Sequence, residues 1–176
     1  MKRTLIIVLA VAVLAAAGCG TDETIIGKPS CPDHLVLVAQ SVPRATFVPC
    51  LEDLPGGWSV SSVSIGDGGT TVKLDSDRAG FGAAKFAYRR ECDVSGIGRI
   101  TSAQEGIAVY EEIRQLAGGL DSTRFYVFRG GCVTARLDFD GFGDIEYAED
   151  LLDSLLLVSR AGLNESLKEQ NELFEV

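Results

Sequence analysis

The chain has 176 residues, with 25 acidic against 16 basic side chains and a formal net charge of −9 at neutral pH. An acidic surface of this kind argues against nucleic-acid binding and against direct electrostatic docking on anionic lipid. The length suits one domain with a core of its own, since domains commonly hold about 100–150 residues.

The chain opens on Met1, Lys2 and Arg3, followed by an uncharged apolar run from Leu5 to Ala17. A short basic segment, an apolar core and small residues after it compose a secretory signal. The run is too short to span a bilayer, which takes about 20 apolar residues. The other leucine-rich run, Leu155 to Leu157, is flanked too closely by Asp150, Asp153 and Arg160 to be a span. The residues Leu14-Ala15-Ala16-Ala17-Gly18-Cys19 resemble the lipobox of bacterial lipoproteins. That resemblance implies removal of residues 1–18, a diacylglyceryl group on the Cys19 sulfur, and attachment to the outer face of a membrane. Two acyl chains anchor stably where a single chain binds only marginally. Loss of Lys2 and Arg3 takes the charge from −9 to −11, so the lipid rather than charge would hold the protein at the membrane. Residues 19–30 then form a short polar tether, and residues 31–176 a single extracytoplasmic domain.

Four further cysteines, Cys31, Cys50, Cys92 and Cys132, are an even set in an exported chain and read as two disulfides. Three pairings are open; Cys31–Cys50 with Cys92–Cys132 is favoured because each pair then closes one half of the chain. Zinc is disfavoured, as no Cys-x-x-Cys occurs and His34 is the sole histidine.

Leu35 to Ala39 has the length of a strand, and Pro43, Pro49 and Pro55 mark a loop around Cys50. Trp58 to Ile65 reads as a strand whose apolar phase slips near Ser61-Ser62, the mark of a bulge. Gly66-Asp67-Gly68-Gly69 turns the chain into a strand from Thr70 to Asp75, completing a hairpin. Phe86 and Tyr88, alternating with Lys85 and Arg89, predict a strand ending near Cys92. Ser102 to Glu105 fits a capping box, and Ile107, Tyr110, Ile113 and Ala117 at helical spacing predict a helix stopped by Gly118-Gly119. Arg124 to Phe128, Gly130-Gly131 and Cys132 to Phe139 form the second hairpin. A helix follows from Ile145 to Val158, with Ala148, Leu151, Leu152, Leu155 and Leu156 as its stripe. A last helix, capped by Asn164, carries Leu163, Leu167 and Phe174. The pattern predicts an α+β fold: an antiparallel sheet of about five strands, with two hairpins, helices on one face and disulfide bracing.

Asp138, Asp140, Gly143, Ile145 and Glu149 match five positions of a twelve-residue calcium loop, and Asp144 lies inside it. Phe142 occupies a position where an oxygen ligand is required, and the segment before the loop reads as strand rather than helix. The competing reading makes Asp138 and Asp140 the solvent face of a strand, with Asp144 and Glu146 at a helix N-terminus. No other cofactor is indicated. Trp58 after Pro55-Gly56-Gly57 is either a ligand-touching aromatic or, more commonly, the plug of a small core. Arg89, Arg90 and Arg136 would make an anion site if the fold gathered them, though arginines on strands usually only solubilise a sheet. The glycine turns lack the lysine and helix of a phosphate cradle. Gly-x-Ser-x-Gly is absent, Ser95 lacks the first glycine of that motif, and no free thiol is left as a nucleophile. The expectation is a non-enzymatic, lipid-anchored binding domain that meets a protein partner in the envelope and no nucleic acid. Two alternatives stand beside it: a carrier of a small apolar ligand or lipid, and a cell-wall or polysaccharide hydrolase working through a carboxylate pair.

Overall fold

The computed structural model of the chain describes residues 31–116, 118–140 and 144–174. Within them run helix α1 (Cys31–Ser41), strands β1 (Phe47–Leu51), β2 (Trp58–Gly66), β3 (Gly69–Ser76), β4 (Gly80–Arg89), β5 (Gly98–Ile100), β6 (Ile107–Leu116), β7 (Gly119–Phe128) and β8 (Gly131–Phe139), helix α2 (Ile145–Asp153), strand β9 (Leu155–Ser159) and helix α3 (Arg160–Phe174). Seven strands form one antiparallel sheet in the order β2-β3-β4-β8-β7-β6-β5, and β1 pairs with β9 as a separate two-stranded ribbon. The expected five strands were an undercount, while both hairpins, β2–β3 and β7–β8, lie where the turn glycines put them. The β2–β3 register slips between Val60 and Ser62, at the predicted bulge.

Several local expectations are corrected. Leu35 to Ala39 is helix, because Leu35 and Ala39 lie one turn apart and bury together against Val48 and Cys50, leaving Val36 and Leu37 exposed. Pro32 sits in the first turn, where its missing N–H costs nothing. The segment after Gly106 is strand, because Ile107 and Val109 face the core in alternation and the segment pairs with β7 from end to end. Its helical spacing was a coincidence of two periods. Ser102 caps no helix; its hydroxyl accepts from the Gln104 N–H and donates to the Gln104 carbonyl in a tight turn. The loop around Cys50 contains β1, where Pro49 is tolerated because a two-stranded ribbon leaves each strand one unpaired edge. Finally, α2 stops at Asp153, where Ser154 caps it by donating its N–H and hydroxyl to the Leu151 carbonyl. Leu155 to Val158 then leave as β9, and Asn164 lies inside α3 rather than at its start.

The core forms on one face of the large sheet. Trp58, Leu74, Phe86, Leu120, Leu137 and Phe139 pack against Tyr147, Ala148, Leu151 and Leu152 of α2. Beside them Tyr88, Val109, Phe128 and Val133 meet Val42, with Phe47 and Leu157 of the ribbon. The ribbon's other side, Val48, Cys50 and Val158, carries Leu35 and Ala39 of α1 and Leu163 of α3. Arg160 locks this layer. Its Nε donates to the Ala45 carbonyl at 2.7 Å, and one Nη donates to Ala39 and Val42 at 2.8 and 2.9 Å. A cation thereby gathers carbonyls at and just beyond the end of α1, where the helix no longer supplies partners, and shares the Val42 carbonyl with the Ala45 N–H.

Candidate functional site

The opposite face of the large sheet has no covering layer among the described residues. Cross-strand register arranges its outward side chains in rows, because directly opposed residues share a face. One row runs through Ser64, Thr71, Ala87, Thr134, Phe125, Tyr110 and Arg99, crossing all seven strands. The next runs through Ser62, Lys73, Lys85, Arg136, Thr123 and Glu112. Phe125 and Tyr110 are half-buried in the pleat and present ring surface, whereas Lys73, Lys85 and Arg136 are exposed. The disulfide Cys92–Cys132 ties the segment after β4 to β8 at the margin of this face, with a Cα separation of 6.1 Å. The Thr134 hydroxyl contacts the Cys92 sulfur at 3.3 Å.

Charges on the two halves of the face are managed differently. On β6, β7 and β8, Arg114 pairs with Glu112 at 2.6 Å, and Arg136 lies 3.5 Å from Asp138 and 3.9 Å from Asp121. The Glu112 carboxylate, by that hydrogen bond, holds the Arg114 guanidinium above its ordinary range. A recess of about 200 Å³ lies among Glu112, Arg114, Asp121, Thr123 and Arg136. On β3 and β4, Lys73 stands directly opposite Lys85, and neither has an ion-pair partner among the described residues.

The strongest buried electrostatics lie on the covered face. Arg124 of β7 is 12% exposed and reaches Glu111 of β6, 14% exposed, and Glu149 of α2, 43% exposed. Its Nε donates to Glu111 at 2.7 Å and its two Nη atoms hold both oxygens of Glu149. Burial works against the charge on Arg124, but the hydrogen bonds it donates to both carboxylates outweigh that and hold the guanidinium protonated. Tyr126 beside it is pushed up by burial, with Arg124 opposing. Both carboxylates are spent on one arginine, which makes the trio a clamp between helix and sheet rather than an acid–base pair.

The residues singled out from sequence are dispersed. Cys19 lies outside the described residues, as do the Cys31 and His34 side chains; Cys50 is disulfide-bonded and buried. Asp144 caps α2, accepting from the Tyr147 N–H at 3.2 Å. Glu149 holds Arg124, Asp138 faces Arg136, Asp140 is exposed, and residues 141–143 lie outside the described set. Among the described residues, no three His, Cys, Asp or Glu side chains are placed to hold a metal ion. Trp58 is the core plug: it is 7% exposed and stacks on Tyr147 at 5.3 Å, with Phe139 at 5.8 Å. Its indole N–H has no hydrogen-bond partner among the described residues. The three arginines do not converge. Arg89 donates to the Thr71 hydroxyl and the Thr70 carbonyl, and Arg90 to the Asp67 carbonyl. Arg136 has Lys85 as its cross-strand neighbour instead. The alternation of charged residues along β3 and β4 was visible in the sequence, but the register that aligns Lys73, Lys85 and Arg136 was not.

No helix among the described residues is long and apolar enough to cross a membrane. No family model, no curated protein and no solved structure matches the chain.

Proposed function

We propose that this chain is a lipid-anchored, extracytoplasmic interaction domain without catalytic activity, tethered through Cys19 and residues 19–30. The observation that carries the reading is the open face of the seven-stranded sheet. Antiparallel sheets commonly leave one face to water, yet this one sets half-buried aromatic rings, hydroxyls and unneutralised cations side by side on interior strands. A disulfide at its margin supports the same reading, since exported proteins are where such bonds persist. The titratable clusters that are visible are neutralised among themselves, which favours binding over catalysis.

Two experiments test it. Cys19→Ser should shift the protein from the membrane fraction to the soluble exported fraction, and the parent chain should carry a diacylglyceryl mass on a terminus at Cys19. A photo-crosslinker replacing Tyr110 should capture an envelope component in intact cells, while one replacing Val36 on α1 should not. Equal labelling from both positions, or a membrane-bound Cys19→Ser protein, would remove the basis for the reading.

A further inference from the structure

We propose that the open sheet face binds an acidic polysaccharide, held by the row Lys73–Lys85–Arg136 and by the aromatic and hydroxyl row beside it. This deepens the interaction-domain reading and rests on it.

The argument begins with an unfavourable placement. Like charges directly opposite on neighbouring strands repel and destabilise a sheet. Lys73 is directly opposite Lys85, and Lys85 directly opposite Arg136, on three adjacent strands of a chain whose net charge is −9. Acidic side chains are therefore abundant, and on the neighbouring strands they are used: Glu112 neutralises Arg114, and Asp138 faces Arg136. Lysine is also a common guard against edge-to-edge pairing, but β3 and β4 are interior strands, where no edge needs guarding. The two lysines are left facing solvent with no acid within ion-pair distance among the described residues. An anionic ligand lying across the strands would supply that missing charge. Adjacent strands stand about 4.8 Å apart, so Lys73 and Lys85, with Arg136 one strand further and already within ion-pair distance of Asp138 and Asp121, form a ladder suited to a repeating polymer rather than to one small ion.

The neighbouring row selects the polymer. Thr71, whose hydroxyl accepts from Arg89 and keeps its own proton to donate, and Thr134, beside the Cys92 sulfur, bring hydroxyls to the row, and Phe125 and Tyr110, paired across β6 and β7, bring half-buried aromatic rings. Hydroxyls and flat rings match sugar rings bearing hydroxyl groups and carboxylates. A bilayer fits less well, because the exposed large apolar side chains (Val36, Leu37, Phe81, Ile100, Ile113, Ile145 and Leu156) belong to neither row. A nucleic acid fits less well too. Its charge density, about one charge per 1.7 Å in a duplex, would bring phosphates onto Glu112, Asp121 and Asp138, which border the cations.

The test uses the full-length chain in detergent, with immobilised polygalacturonate as probe and neutral dextran, an oligothymidylate and phosphatidylglycerol vesicles as comparisons. Saturable binding to polygalacturonate is expected, weakening about tenfold as salt rises across the physiological range. Lys73→Ser with Lys85→Ser should abolish it, while Arg114→Ser should keep it. Lys73→Glu separates a binding role from a structural one. It places a carboxylate opposite Lys85, so it should abolish polygalacturonate binding and yet raise the thermal midpoint. A structural role for Lys73 would instead lower the midpoint. The proposal is overturned if polygalacturonate binds no better than dextran, if the lysine variants bind like the parent, or if the oligothymidylate or vesicles bind more tightly. Should the Tyr110 crosslinker capture a protein while polygalacturonate fails to bind, the ligand class falls and the interaction-domain reading stands. If nothing is captured and nothing binds, both fall.

Discussion

Arg124 and Glu149 form a two-point clamp that pins helix α2 to the middle of the sheet. One guanidinium Nη donates to Glu149 Oε2 at 2.9 Å while the other holds Oε1. The planar fork of an arginine matches a carboxylate in this way and fixes orientation as well as distance. Glu111 takes the remaining Nε donor, so removing the arginine strands a nearly buried carboxylate. Arg124→Met is therefore expected to cost about 3 kcal/mol, because breaking a buried pair leaves an uncompensated charge. Glu149→Gln should cost about 1 kcal/mol or less, as that carboxylate is 43% exposed and screened by water. Urea unfolding of the two variants checks the order; equal losses would mean that the clamp gains nothing from burial.

The Cys92–Cys132 bond closes a loop spanning 40 positions. Cross-linking a chain over that length restricts the unfolded state by about 3–4 kcal/mol. Cys92→Ser with Cys132→Ser should lower the urea midpoint accordingly. The loss should be larger than that from reducing agent applied to the folded protein for a short time, since Cys132 is buried. A midpoint unmoved by the double substitution would show that β4 and β8 hold this margin unaided.

Arg160 joins the end of α1 to the start of α3 through the Ala39, Val42 and Ala45 carbonyls. Arg160→Met preserves much of the stem but removes the guanidinium from the Ala39 and Ala45 carbonyls, leaving Val42 only the Ala45 N–H, at a cost of about 2–3 kcal/mol. Amide hydrogen exchange should then accelerate in α1 first, while the β7–β8 hairpin keeps its protection. Uniform acceleration over the whole fold would show that α1 and the sheet unfold as one unit.

Tyr88 and Tyr126 are both pushed above the ordinary tyrosine range by burial, with Arg160 opposing in one case and Arg124 in the other. A raised value in the folded state means that the folded protein keeps protons the unfolded chain would release. Stability is therefore expected to hold up to about pH 10 and to fall above it, as the unfolded chain gains by ionising. Thermal midpoints measured from pH 8 upward check the sign. Tyr126→Phe should flatten the alkaline decline, whereas a decline of equal slope would place its origin elsewhere. The Tyr88 hydroxyl donates to the Phe47 carbonyl at 2.9 Å, so Tyr88→Phe should also lose stability at neutral pH.

The amino-acid sequence by itself determined the elements whose signals are local. Glycine turns placed the β2–β3 and β7–β8 hairpins, a slip in apolar phase placed the bulge near Ser61-Ser62, and Asp144 with an apolar stripe started α2. Trp58 as the commoner core plug was also legible there, whereas Cys92 with Cys132 was one favoured pairing among three that the fold decided. Tertiary structure alone decided the rest. Leu35 to Ala39 suited helix and strand equally, and burial against Val48 and Cys50 selected helix. The segment after Gly106 carried both periods, and pairing with β7 selected strand. Pro49 and the leucines after Ser154 became a ribbon only because the two ends of the described domain meet. The cationic row arose in the same way. Each of Lys73, Lys85 and Arg136 occupies an ordinary outward position on its own strand, and what makes them one feature is register, a long-range property that no single strand encodes.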